Sequence, residues 1–430
     1  MSLTTDLEVV GTVTAHPDAG DRLIAGVPDR EGLDRYRATG GYAPVEDAEA
    51  LLSAVEASGL RGRGGAAFPT GTKLRTVRSG QSPVVVANGE EGEPASVKDR
   101  WLLRHRPHLV LDGLRLAGIL TGAHDLHVYV SDPAAESSVT DALGEVAEAG
   151  INWDAKISVT RVDPTYVAGE ETAVVRALNG GPALPQDKPP RPFDSGVDGR
   201  PTLVSNVETL ANLPLIQRLG ADGYRAVGTA DSPGTFLLTL TGGLGNGLYE
   251  VPFGLTVRQV LTWLGQDPDQ VRALLMGGYF SGVLGAQGLD VTLDYDAMRQ
   301  VGSGLGCGAI GVVLQDRCPV AVSAAVMAYF ARENAQQCGS CFNGTAAMAA
   351  VLEGLVEYKA SDEDVRRLTY WSSFLRGRGA CGTLDGATNV AAALLREFPE
   401  LVDAHVAGSC ATCDAGTVRV VDPPFAVGLP

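Results

Sequence analysis

Long apolar runs are missing from this chain. The longest, such as residues 320–330, fall well short of the roughly 20 residues that a membrane-spanning helix needs. The first ten residues, MSLTTDLEVV, carry no basic region followed by an apolar run. No targeting segment is read there, and a cytoplasmic location without direct membrane insertion is expected. Positive charge is scarce as well: 34 Lys and Arg stand against 51 Asp and Glu, a net charge of −17. That balance excludes a nucleic-acid surface. The basic residues that do cluster (Arg61, Arg63, Lys73, Arg75 and Arg78) are then informative about a local anion site. Cysteine is absent before Cys307. The seven thiols (Cys307, Cys318, Cys338, Cys341, Cys381, Cys410 and Cys413) crowd the last third, and an odd number there favours metal ligation over disulfides. No internal repeat is visible.

At 430 residues the chain suggests two to four domains, and 45% hydrophobic against 20% charged residues permits a sizeable core. A helical stretch over 48–58 leads into glycine-rich turns at 59–71, and a β-branched strand at 83–87 breaks at Asn88-Gly89. Helices over 108–120 and 134–149 alternate with a strand over 126–130, which implies an α/β domain. A further helix is expected at 173–178, and residues 180–201, dense in Pro and Gly, read as a long loop. Short strands at 236–241 and 247–251 with a helix at 257–264 suggest a β-grasp-like insert. Helices over 320–335, 344–357, 362–375 (Ser361 as N-cap) and 387–397 suggest a four-helix bundle. The expected domains are 1–232 (α/β), 233–300 (β-grasp), 301–405 (helical bundle) and a cysteine-bearing tail, 406–430.

Three constellations carry chemistry. Gly59-Leu-Arg-Gly-Arg-Gly-Gly-Ala-Ala-Phe-Pro-Thr-Gly-Thr-Lys73 combines glycines that admit a phosphate close to the backbone with flanking cations, although it is neither a P-loop nor a Rossmann fingerprint. Glu90, Glu91 and Glu93 sit just past a strand end, where α/β sheets gather ligands and where carboxylates can accept from ribose hydroxyls. Standing alone, this segment reads as a solvated acidic loop. Tyr166-Val-Ala-Gly-Glu-Glu-Thr-Ala173 and, later, Ser205, Asn206 and Thr209 offer neutral donors and acceptors suited to a flavin edge; singly, each is a capped helix start.

Together these segments, with Lys188-Pro-Pro, resemble in order and spacing the NADH-binding FMN flavoprotein of respiratory complex I (its F subunit). The diaphorase subunits of NAD-reducing hydrogenases and formate dehydrogenases share the pattern. The resemblance runs from about residue 34 to about residue 405. It implies an FMN-binding Rossmann-like domain, a ubiquitin-like β-grasp insert and C-terminal helices with an iron–sulfur site. It also implies FMN held by Gly62, Arg63, Gly64, Gly65, Lys73, Asn88, Glu90, Glu91, Tyr166, Gly169, Glu170, Glu171, Ser205, Asn206 and Thr209. The dinucleotide is expected near Phe68, Glu93, Glu171 and Lys188. The implied function is an FMN-dependent NAD(P)H oxidoreductase subunit in which hydride passes to FMN and single electrons pass on to an iron–sulfur or ferredoxin-type acceptor. Hydride transfer belongs to the flavin, so no catalytic side chain is assigned. A [2Fe–2S] subunit of thioredoxin-like fold or a ferredoxin is the implied partner, within a hetero-oligomer.

The cluster motif departs from that family. Its pattern Glu-Ser-Cys-Gly-x-Cys-Thr-x-Cys reads here Glu333-Asn-Ala-Gln-Gln-Cys-Gly-Ser-Cys341, so Ala335 replaces the first thiolate while Cys338, Cys341 and Cys381 match the others. A [4Fe–4S] cubane takes four thiolates. Either Cys410 or Cys413 supplies the fourth, or a non-cysteine ligand such as Gln336 does, or the cluster is lost and the thiols are remnants or bind zinc. Cys307 and Cys318 read as buried hydrophobes. Arg191 stands where the family places an aromatic after Lys188-Pro-Pro, which leaves NADPH open beside NADH. A ferredoxin-linked flavin reductase outside complex I is the rival enzyme. A non-catalytic scaffold or binding paralogue is the rival of another class, and it predicts eroded flavin motifs.

Overall fold

A computed structural model describes residues 8–24, 26, 27, 29–414 and 423–430 of the chain. The apolar run at 84–87 becomes the strand Val84–Asn88, inside a four-stranded parallel sheet ordered Lys156–Arg161, Asp125–Val130, Val84–Asn88, Thr202–Asn206. A strand apolar at successive positions is one buried on both faces. Alternation divides its side chains accordingly. Val85 and Ala87 join a large cluster with the apolar stripes of the helices Ala48–Ser58, Thr70–Arg78, Pro107–Thr121, Pro133–Glu148 and Val207–Arg225. Val84 and Val86 join Tyr129, Val204 and the helix Glu171–Leu178 through Val174 and Val175. Asn88 pairs with Asn206 in the ladder, so both asparagines stand at the carboxyl edge of the sheet.

A second, six-stranded mixed sheet is ordered Val283–Gly285, Val271–Met276, Ala309–Leu314, Thr235–Thr241, Gly247–Pro252, Thr12–Ala15. The antiparallel hairpin 235–252 turns through Gly242 at φ +102°, where an added Cβ would fall 2.1 Å from the Val312 carbonyl oxygen. The helix Val257–Trp263, opened by a Thr256–Gln259 capping box, buries Val257, Val260 and Leu261 against Phe236, Leu238 and Val251. This is a helix on a mixed sheet, as the β-grasp reading requires. Its strand Ala309–Leu314 comes from beyond residue 300, and Thr12–Ala15 from near the amino terminus.

The helices Pro319–Glu333, Gly339–Val356, Asp362–Phe374 and Thr383–Glu397 pack around Phe330, Met348, Leu352, Leu368 and Leu394, with Pro399–Val406 following. Ser361 caps its helix by accepting from the Asp364 N–H. The second helix starts at Gly339 because Cys338 is extended (φ −95°, ψ 119°), and Gly344 lies inside it rather than opening it. The helices Thr70–Arg78, Lys98–His105 and Val207–Arg225 and the strand Thr202–Asn206 were not legible as such, since none carries a clear apolar period bounded by breakers. The fold class is α/β with an attached helical bundle. At the chain ends, Glu8–Val9 pairs in parallel with Val427–Gly428.

Candidate functional site

The glycine loop closes on itself: the Gly62 N–H donates to the Phe68 carbonyl at 2.9 Å and the Thr70 N–H to that of Leu60 at 2.9 Å. It sits over the amino terminus of the helix Val207–Arg225. The Arg63 N–H donates to Thr209 Oγ1 at 2.8 Å, and a Cβ on Gly64 would lie 3.2 Å from that of Asn206. Backbone donors beside a helix amino terminus form an anion cradle. The Arg63 guanidinium does not point into it. It is buried, donating to the Thr235 carbonyl at 3.1 Å and to Tyr224 and Tyr295 at 3.3 and 3.4 Å, over the Phe253 ring. Arg63 thus spends both its N–H and its guanidinium on fixing the loop, and the nearby cation is Lys73. The Lys73 ammonium donates to the Val204 carbonyl at 2.7 Å and stands 3.9 Å from Glu171; burial lowers its pKa, against the Glu171 charge.

Glu90 is the unusual group at the sheet edge. It is buried, and neither carboxyl oxygen makes a hydrogen bond of ordinary geometry. Burial, helped by the Glu91 charge and only partly offset by the Gly92 N–H, pushes its pKa up to about 8. Gly169 makes room for it, because a Cβ there would lie 2.5 Å from Glu90 Oε2. Asn88 Nδ2 donates to the Gly169 carbonyl at 2.8 Å, which joins these three expected residues. Ser205 lies on the strand ending at Asn206. A buried carboxyl with no hydrogen bond of ordinary geometry is a polar group that the fold by itself leaves unsatisfied.

Other expected residues are committed to the scaffold. Glu91 accepts from the N–H groups of Asp99 and Arg100 at 3.2 and 3.1 Å and so caps the helix Lys98–His105. Glu170 caps its own helix and accepts from Lys188 at 2.7 Å, while Glu171 lies 2.9 Å from the same ammonium. Tyr166 packs edge-on against Tyr329 and Phe330, bridging the α/β unit and the bundle. Glu93 accepts from the Tyr279 N–H at 3.0 Å, and burial pushes it up to about 7. Phe68 is half exposed at the loop. A cleft of about 390 Å³ opens beside Thr172, Gln186, Asp187 and Pro190, but none of the expected flavin residues lines it. Missed from sequence was a buried charge network. The Lys98 ammonium lies 2.7 Å from Asp99 and 3.0 Å from Glu208, and Asn206 donates to Asp99 at 2.7 Å. Lysine and aspartate adjacent in an acidic loop were the only signal.

Cys338, Cys341 and Cys381 converge where two bundle helices begin. Cys338 Sγ accepts from the Ala380 N–H at 3.4 Å, and burial, followed by the neighbouring Cys381 and Cys338, pushes the Cys341 thiol up to about 12. Three thiols meet there, with Ala335 at the family's remaining thiolate position. Cys410 and Cys413, expected as fourth-ligand candidates, stand elsewhere, with Cys318 and His405; the four ligand atoms lie within 4.8 Å of one another. Cys318 precedes the helix Pro319–Glu333 and Cys338 follows it. Fifteen helical residues at 1.5 Å each keep the two centres roughly 20 Å apart. Cys318 is buried as expected, but as a member of this cluster rather than as a lone hydrophobe.

With this geometry in view, comparisons with known proteins are decisive. Residues 55–215 match the Nuo51 FMN-binding domain, and residues 321–405 match the NADH-ubiquinone oxidoreductase-F iron-sulfur binding region. The NADP-reducing hydrogenase subunit HndC of Solidesulfovibrio fructosivorans is 32% identical over 427 residues, covering 94% of this chain and 87% of the relative. The second of the NADH-quinone oxidoreductase F subunits of Rhizobium meliloti (strain 1021) is 31% identical over 402 residues, 88% of this chain and 96% of the relative. The chain belongs to the NADH-quinone oxidoreductase F-subunit family. Within this family the solved NAD+-reducing [NiFe]-hydrogenase in its H2-reduced state superposes with a TM-score of 0.78 at 32% identity, over 84% of this chain. The chain spans 63% of the length of that hydrogenase chain. The F-subunit family is one of FMN-binding NADH oxidoreductases that pass electrons to iron–sulfur clusters. The glycine loop, Asn88, Glu90 and Asn206 all lie inside the matched FMN-binding segment, and Cys338, Cys341 and Cys381 inside the matched iron–sulfur region. Cys410 and Cys413 fall outside both. Among the described residues no helix is long and apolar enough to cross a membrane.

Proposed function

We propose that this chain is the NAD(P)H-oxidising, FMN-binding component of a hetero-oligomer, working in the cytoplasm and delivering electrons to an iron–sulfur partner. Bound FMN supplies hydride acceptance from nicotinamide and release of the two electrons singly. The chain's own residues bind and orient. Gly62 and Arg63, whose N–H groups go to Phe68 and Thr209, hold the loop in shape; Gly64 and Gly65 bring its backbone to the phosphate, and Lys73 supplies countercharge. Asn88, Glu90 and Ser205 address the ring edge, while Tyr166, Gly169, Glu170, Glu171, Asn206 and Thr209 shape the cradle. Glu91 holds the acidic loop in place. Phe68, Glu93, Glu171 and Lys188 receive the dinucleotide.

The observation that carries this reading is the buried Glu90 carboxyl, which lies against Gly169 and has no hydrogen bond of ordinary geometry. With its pKa near 8 it keeps its proton at neutral pH and can donate an O–H to a ligand carbonyl or ring nitrogen. In the iron–sulfur region Cys338, Cys341 and Cys381 would hold a cluster whose fourth ligand is not cysteine, since Ala335 occupies that position. The test is to purify the chain without oxygen and measure released flavin, iron, and ferricyanide reduction by NADH and by NADPH. FMN near one per chain with NADH-dependent reduction is expected. A folded protein that takes up no FMN when titrated with it overturns the proposal.

A further inference from the structure

We propose that Cys318, His405, Cys410 and Cys413 bind one structural zinc ion, separate from the iron–sulfur region. These four groups come from two stretches far apart in sequence: Cys318, before the helix Pro319–Glu333, and a run of nine residues that holds His405, in the last turn of Pro399–Val406, and the Cys-x-x-Cys turn that leads into Ala411–Asp414. The fold nevertheless brings their ligand atoms within 4.8 Å of one another. Cys318 Sγ lies 3.9 Å from Cys410 Sγ and 3.3 Å from His405 Nε2, and Cys413 Sγ lies 3.9 Å from that nitrogen. Zinc with bonds of about 2.3 Å to sulfur and about 2.0 Å to nitrogen, arranged tetrahedrally, requires ligand–ligand edges of roughly 3.5–3.8 Å. The three distances above, 3.3–3.9 Å, bracket those values. A disulfide between Cys318 and Cys410 would instead need its sulfurs at about 2.05 Å.

The surroundings are built for ligation. His405 Nδ1 lies 2.9 Å from the Leu355 carbonyl, which fixes the proton on that nitrogen and turns the Nε2 lone pair toward the three sulfurs. The Cys410–Cys413 turn is held by Asp414, which accepts from the Cys410 N–H at 3.1 Å and from the Tyr358 hydroxyl at 2.6 Å. Arg272 donates to Thr412 at 2.8 Å, placing a cation beside a centre that three thiolates would leave negative. Cys318, His405 and Cys410 are buried, so the site is closed, as structural zinc sites are and catalytic ones are not. Three thiolates and one imidazole on a single tetrahedral centre are a zinc donor set, whereas a cubane spreads its thiolates more widely. The ion would fasten the start of the tail to the bundle. The end of the same tail runs beside the acidic loop, where the Val427 N–H donates to the Pro94 carbonyl at 2.9 Å.

The test uses the full chain purified with its native metals and flavin. Elemental analysis should give one zinc per chain in addition to any iron, and zinc-edge X-ray absorption should give three sulfurs and one nitrogen bound to the metal. Cys413→Ser should lose the zinc while flavin and iron stay unchanged, and His405→Cys should retain it. Should Cys413→Ser not fold, the absorption spectrum of the unaltered protein still decides. A zinc-free chain whose mass is two hydrogen atoms light through a Cys318–Cys410 disulfide overturns the proposal. So does iron, rather than zinc, leaving with Cys413→Ser, since the tail would then serve the cluster.

Discussion

The backbone N–H of Arg63 donates to the hydroxyl of Thr209 at 2.8 Å, and so ties the glycine loop to the first turn of the helix Val207–Arg225. One hydrogen bond joins two segments 146 residues apart and holds the loop's backbone donors over a helix amino terminus. The Arg63 side chain, anchored inward by Tyr224, Tyr295 and the Thr235 carbonyl, fixes the loop from the other side.

Thr209→Val should therefore weaken FMN binding while sparing the fold. A neutral hydrogen bond contributes about 0.5–1.5 kcal/mol, so an affinity loss of up to roughly tenfold is expected. Thr209→Ser should restore it. Flavin fluorescence titration of the two variants checks this, and equal affinities for valine and serine would remove the hydroxyl from the account.

Glu90 predicts a pH dependence. Its pKa rises from an ordinary 4.5 to about 8 on folding, so between those values the folded protein keeps a proton that the unfolded chain has released. Stability contributed by the neutral carboxyl is complete below pH 4.5 and is lost as pH climbs through about 8. Glu90→Gln, which cannot ionise, should flatten the melting temperature of the flavin-free protein across that window. Its amide can still donate to FMN, so flavin should be kept, whereas Glu90→Ala should lose it. An unchanged pH profile in Glu90→Gln would show that Glu90 does not titrate there.

Gly169→Ala sets a Cβ 2.5 Å from Glu90 Oε2 and 3.1 Å from the Glu90 carbonyl oxygen. Overpacking of this kind typically costs about 1–3 kcal/mol. The expected outcome is a modest fall in thermal stability with a larger fall in bound flavin, read by absorbance after gel filtration. Full flavin retention would separate Gly169 from the cradle.

Ala335→Cys adds a sulfur at the family's first ligand position, close to Cys338, Cys341 and Cys381. Iron per chain should rise and survive air exposure longer than in the unaltered protein. Identical iron content and lifetime would mean that the three thiols do not hold a cubane.

Lys98→Met removes the cation from the buried trio with Asp99 and Glu208, at 2.7 and 3.0 Å. Breaking a buried pair on one side strands the other charges, at a cost of about 3–5 kcal/mol. Urea unfolding followed through the α/β domain should show that loss. The double change Lys98→Met with Glu208→Gln should recover part of it.

Much of this protein can be read in one dimension. Valine at 84–86, the apolar stripe of 107–121 and the Ser361 cap announce their elements because each signal is local: alternation, helical period, or a hydroxyl three residues from the N–H it accepts. The flavin segments were legible for the same reason, since glycine and acidic runs sit within single loops. The matched pattern of Cys338, Cys341 and Cys381 likewise survives in spacing. What only the tertiary structure decided depends on which distant segments meet. Sequence could not show that Arg63 turns inward to Tyr224 and Tyr295, or that Glu91 spends its oxygens on a helix start. It could not show that Lys98 is buried between carboxylates contributed by a neighbouring residue and by a helix 110 residues on. Above all, the tail cysteines were candidates for the cluster until a fifteen-residue helix set them at its opposite end, beside Cys318 and His405. A ligand's chemistry belongs to its own residue, but its partners are chosen by packing.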